Sequence, residues 1–169
     1  MQRPRKLQNF EIAVVGLGNL LLGDEGFGVH FIRYLKTFHS LPPSVELIDG
    51  GCLGLRILDL FREKKALIVI DILLAKSPPG TIKTISWEEI KNLGTAKLAS
   101  GHQVGIKEAL ALAELIGIKP KYFKAFGVVP AHLGVGTELS PTLRERLPVL
   151  AEMVLAEIKN LAGEADTRR

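Results

Sequence analysis

The amino-acid sequence predicts an α/β sandwich built on a mostly parallel sheet. Short apolar runs recur along the chain, and most are separated by stretches whose apolar residues repeat every three or four positions. One run, ALIVI at residues 66–70, is apolar at every position, as strands are when helices cover both faces of a parallel sheet.

The elements follow in order. Residues 10–15 form a buried strand that runs into a glycine-rich loop, residues 16–28. Phe27, Phe31, Tyr34, Leu35 and Phe38 then mark an amphipathic helix, and Pro42 and Pro43 end the connection. A second strand spans 45–48 and stops at Asp49-Gly50-Gly51, and 53–61 is helical. The third strand is 66–70. Pro78-Pro79-Gly80 is a turn, and 81–86 is a fourth strand, less apolar and so expected nearer an edge. Residues 104–116 form a helix with Leu110, Ala113 and Ile116 on one side, and 123–129 form the fifth strand. Ser140-Pro141 fits a helix N-cap followed by proline at the first helical position. The last helix directs Leu143, Leu147, Leu150, Val154, Ile158 and Leu161 inward, with Pro148 expected to kink or restart it.

A chain of 169 residues suits one domain, here residues 10–162, between a basic tail at 1–9 and a polar tail at 163–169. The net charge of +4 owes part of its excess to Arg3, Arg5 and Lys6, and the other basic residues are mixed among acidic ones without aromatic interleaving. That pattern argues against nucleic acid as a partner. Cys52 is the only cysteine, so no intrachain disulfide forms, which fits a reducing compartment. The first residues lack the apolar core of a secretory signal, and no apolar run approaches the roughly 18 residues of a membrane span. The expectation is a soluble cytoplasmic protein with no membrane partner, monomeric by default.

In open α/β sheets, ligands bind beyond the carboxyl ends of the strands where the strand order reverses. Three acids stand at such ends. Glu25 lies in the loop after the first strand, Asp49 ends the second and Asp71 ends the third. If the first strand is central, these crowd one crevice, and His102, preceded by Ser100 and Gly101, can reach the same edge. Two carboxylates and an imidazole suit nickel or zinc and leave coordination positions open for water or substrate. Each residue also has a plain reading: Asp71 as a cap or turn former, Glu25 as a solvated loop acid, His102 as a cap or surface residue. The loop Gly16-Leu17-Gly18-Asn19-Leu20-Leu21 lacks the third glycine of a dinucleotide fingerprint, and Asp24 and Glu25 would repel a pyrophosphate.

With these residues laid out, the sequence resembles the hydrogenase maturation proteases. The resemblance is carried by GLGNLLLGDEGFGV at residues 16–29, Asp49-Gly50-Gly51, Asp71 after its apolar strand and Pro79-Gly80-Thr81. It continues through His102-Gln103-Val104-Gly105, Gly127-Val128-Val129-Pro130 and Leu139-Ser140-Pro141, in order over residues 10–160. It implies a three-layer α/β/α sandwich whose twisted five-stranded sheet has one antiparallel strand. It also implies metal ligands at Glu25, Asp71 and His102, and an outer or substrate-contacting role for Asp49. The implied substrate is the precursor of a [NiFe]-hydrogenase large subunit, already loaded with nickel. Its C-terminal extension would be cut after a basic residue beside a CxxC motif.

The expected chemistry is that of an endopeptidase, with nickel supplied by the substrate and zinc or cadmium able to substitute. A carboxylate, Asp49 or one of the ligands, would accept a proton from water. No H-E-x-x-H helix or Ser-His-Asp set offers another route. Cys52 is read as a packing residue, His132 as a possible substrate contact, and His30 and His39 as structural. The alternative is a non-catalytic, nickel-sensing chaperone of the same large subunit.

Overall fold

The computed structural model describes residues 11–51, 53–92 and 106–166. The basic tail, Cys52 and the Ser100-Gly101-His102 segment therefore lie outside the described residues. The sheet contains β1 (Ile12–Leu17), β2 (Val45–Gly51), β3 (Ala66–Ile72), β4 (Ile82–Ile85) and β5 (Tyr122–Val128), in the order β2-β1-β3-β5-β4. All neighbours are parallel except β4, which pairs antiparallel with β5 at the edge the composition of its segment predicts.

Each strand is apolar for a topological reason. β1 is buried at all six positions because it has strands on both sides and helices on both faces. Alternation along β3 then divides the core. Ile68, Ile70 and Ile72 join one cluster with Phe27, Phe31 and Leu35 of α1 (Phe27–Phe38) and Leu150, Val154 and Ile158 of α6 (Arg146–Asp166). Leu67, Val69 and Leu73 join the other, under α2 (Ile57–Glu63), α3 (Trp87–Asn92) and α4 (Ile106–Leu115). The molecule is thus a three-layer sandwich with a core on each face of the sheet.

Several elements differ in detail from the sequence reading. The helix after β2 opens with a 3-10 turn at Gly54–Arg56. α3 is an addition: Ser86 caps its first turn, accepting from the Glu89 N–H at 3.2 Å while Glu89 Oε2 accepts from the Ser86 N–H at 2.7 Å. Ser140 caps α5 (Pro141–Arg144) as expected, its hydroxyl accepting from Leu143 N–H at 3.3 Å. The break between α5 and α6 falls at Glu145, not at Pro148. Pro148 instead occupies the first turn of α6, where a missing N–H costs no helical bond. α6 continues to Asp166 and so extends into the segment expected to be a tail. Ile116 and Phe38, expected inward, are exposed because they sit at or just past the ends of their helices.

Candidate active site

β1 lies between β2 and β3, and the chain leaves it toward β2 on one side while β3 lies on the other. The strand order therefore reverses between β1 and β3, and a crevice opens at their carboxyl ends. Glycine builds this crevice by letting backbones touch. A Cβ on Gly28 would stand 2.2 Å from the Leu17 carbonyl oxygen and 2.5 Å from that of Ile70. The start of α1 thus rests directly on the ends of β1 and β3. Gly18, at φ 138°, passes so close to residue 25 that a Cβ there would lie 1.9 Å from the Glu25 carbonyl oxygen. The Asn19 N–H donates to that same oxygen at 3.2 Å. The glycine loop therefore fixes the backbone of Glu25 against the end of β3.

Asp71 lies one residue before the end of β3 and pairs with Gly127 of β5. It falls between Val69 and Leu73, so alternation places it on the face covered by α2 and α4. The Ile72 N–H donates to its Oδ1 at 2.8 Å, which orients the half-buried carboxylate. Glu25 is also half-buried, in the 3-10 turn Asp24–Gly26 that packs on β3. The turn that carries Glu25 thus packs on the strand that carries Asp71 near its carboxyl end.

Asp49 lies on β2, across β1 from the strand that carries Asp71. It is exposed on β2, paired with Gly16 of β1, and follows Val45 and Leu47 on the α1 face. Two strand spacings, roughly 10 Å, separate β2 from β3. His102 lies outside the described residues, and among the described residues no three His, Cys, Asp or Glu side chains gather as a metal site. His132 is exposed in the loop after β5. His30 is half-buried on α1 and hydrogen-bonds to the Thr137 backbone; burial, then the charge of Arg33, hold it below its ordinary pKa.

The residue that sequence reasoning missed is Asp24. It is 1% exposed, and its carboxylate gathers the loop after β5. Oδ2 accepts from the Ala131 N–H at 2.9 Å, the His132 N–H at 3.0 Å and the Ser140 hydroxyl at 2.9 Å. Oδ1 accepts from the Ser140 N–H at 2.7 Å. Bridges between Leu22 and Gly136 and between Gly23 and Leu133 complete a clasp of the two loops. Because β3 lies between β1 and β5, this clasp spans the end of the strand that carries Asp71. A signal was present in the sequence. In the 3-10 turn that holds them, neighbouring side chains diverge by about 120°, so the two acids of the Asp-Glu pair point different ways.

The chain matches the family model described as hydrogenase maturation protease over residues 29–157. It is 40% identical over 146 residues to the hydrogenase expression/formation protein HupD of Thiocapsa roseopersicina, covering 86% of this chain and 66% of that protein. It is 35% identical over 158 residues to the hydrogenase 2 maturation protease of Escherichia coli, covering 93% of this chain and 96% of that one. Among solved structures, the hydrogenase maturating endopeptidase HybD from Escherichia coli superimposes with a TM-score of 0.81 at 34% identity. That alignment covers 89% of this chain and 93% of the other.

Proposed function

Since the chain belongs to the hydrogenase maturation protease family, we propose that it removes the C-terminal extension of a nickel-loaded [NiFe]-hydrogenase large-subunit precursor. The finer statement is that the cut follows a basic residue beside the CxxC motif that ends the mature subunit. Such trimming belongs in the cytoplasm, where the thiols of that motif stay reduced.

What supports the reading is that the turn carrying Glu25 packs on β3, which carries Asp71 near its carboxyl end, beside the clasp. The direction of α4 supports His102 as their companion. α4 precedes β5, which starts at the opposite edge of the sheet, so α4 begins at the carboxyl edge. Ile106, its first residue, is buried on the Asp71 face. The four residues back to His102 span at most about 14 Å.

Two carboxylates and one imidazole form a donor set that a borderline ion such as nickel accepts, and three ligands leave positions open for the scissile carbonyl or a water. In this reading Glu25, Asp71 and His102 grip the nickel that arrives within the substrate, and zinc or cadmium can take its place. When held there, the ion polarises the peptide carbonyl or acidifies water. This chain supplies the positioning: the glycine contacts fix Glu25, the Ile72 amide orients Asp71, and a carboxylate at the rim accepts the water's proton. Asp49, exposed two strands away, is suited to contacting the substrate.

The test is to incubate nickel-loaded precursor with wild-type protein and with Glu25→Gln, Asp71→Asn and His102→Ala. Intact-mass measurement should show loss of the extension with wild type and at least about 100-fold slower trimming with each variant. Trimming at the wild-type rate by any of the three removes that residue from the site. A wild-type protein that binds the precursor but never shortens it is the nickel-sensing chaperone instead.

A further inference from the structure

We propose that the clasp presents a preformed apolar platform, made of Leu21, Leu133 and Val135, on which the folded body of the precursor docks beside its extension. This rests on the peptidase reading above and adds the surface that holds the substrate. Leu21 is 65% exposed, Leu133 43% and Val135 93%. Exposed apolar side chains scattered singly need no explanation, but these three share one small patch of backbone. The Gly136 N–H donates to the Leu21 carbonyl at 2.9 Å, and the Gly23 N–H to the Gly136 carbonyl at 2.7 Å. Gly23 also bridges to Leu133.

Two further features set the patch apart. Residues 16–23 and 125–137 contain no Asp, Glu, Lys or Arg, in a chain that is 24% charged. Exposed loops are ordinarily mobile and polar. Here the uncharged loops are tied by the buried Asp24 carboxylate, which accepts from both the Ala131 and His132 amides that precede Leu133. Apolar groups held rigid before association give up little conformational freedom when covered.

The occupant follows from continuity with the site. Leu21 and Glu25 lie on the same loop, four positions apart, so the platform borders the rim where the scissile peptide would be held. A peptidase acting on a folded precursor has that precursor's body beside this rim throughout the reaction. An uncharged face matches an apolar area of such a body, and offers nothing to a phosphate backbone. A second copy of this chain is the competing occupant.

The experiment compares wild type with Leu21→Asp/Val135→Asp and with the milder Leu21→Ser/Val135→Ser, all as the full chain, on nickel-loaded precursor. Circular dichroism and Tm verify folding. KM should rise about 10-fold for the aspartate pair and less for the serine pair, with kcat nearly unchanged. An unchanged KM in folded variants overturns the platform. Wild-type dimers in sedimentation that the aspartate pair dissolves, with KM unaltered, also overturn it and make the second copy the occupant. If wild type leaves the precursor uncut, the peptidase reading is what fails. Precursor binding by wild type and variants then decides docking: binding lost in the aspartate pair supports it, and equal binding overturns it.

Discussion

Asp24 and Glu25 are chemically alike and adjacent, but they are held differently. Asp24 is buried and saturated by donors from the loop after β5, while Glu25 is half-buried and is the acid proposed for the site. A buried carboxylate is tolerable only because its oxygens receive that many donors. Asn in its place keeps the shape but turns an N–H group toward N–H donors. Asp24→Asn should therefore cost about 2–4 kcal/mol, read as a lower midpoint in urea unfolding with an unchanged slope. It should also slow precursor trimming, because the clasp over β3 loosens. Glu25→Gln, by contrast, should leave the midpoint within about 0.5 kcal/mol of wild type. Sequence logic singled out Glu25 for the site but gave Asp24 no structural role. Its rule concerned carboxylates near the edge, and the donors that claim Asp24 lie more than a hundred positions away.

At the scale of elements, the sequence is most readable where one local rule acts alone. The period of α1, the ALIVI strand and the Ser140-Pro141 cap are local patterns, and each is realised where it is read. α3 escaped notice because its six residues are too few for a helical period to show. The break at Glu145 escaped notice because Pro148 is equally at home at a kink and in a first turn. The glycine loop is the instructive case. Its glycines resemble a phosphate cradle in spacing, yet they serve contact between backbones, with α1 resting on β1 and β3 at Gly28. Gly28→Ala would push a methyl into two carbonyl oxygens that belong to the central strands and cannot swing aside. The expected loss is roughly 3 kcal/mol or more, visible as a Tm fall of several degrees or as insoluble protein. Ala at Gly163, inside α6 where an added Cβ meets nothing within 4 Å, should instead stabilise by up to about 1 kcal/mol.

Across the whole molecule, the sheet separates the proposed site at its carboxyl edge from structural charge pairing at the other. The condition on which the strand-ending acids were read together, β1 lying between β2 and β3, is met, and the turn that carries Glu25 packs on β3. Near the opposite end, Lys124 of β5 bridges Glu157 of α6 at 2.6 Å, and the Tyr122 hydroxyl donates to the other Glu157 oxygen. This network joins the helical layer to the sheet at the start of β5. Burial alone would raise the pKa of Glu157, but the hydrogen bonds from Lys124 and Tyr122 outweigh it and leave the carboxyl below its ordinary 4.5. In that window the unfolded chain binds the proton more readily than the folded one. The network's contribution is therefore complete above pH 4.5 and fades as pH falls through the lower folded value. Glu157→Gln should lower stability at pH 7 by roughly 1 kcal/mol and flatten the acid limb of the stability curve, measured by urea unfolding between about pH 3 and 7. Because the network lies at the edge away from the clasp, precursor trimming at neutral pH should stay within about 2-fold of wild type. A large trimming defect in a stable Glu157→Gln protein would mean that the two edges of the sheet are coupled.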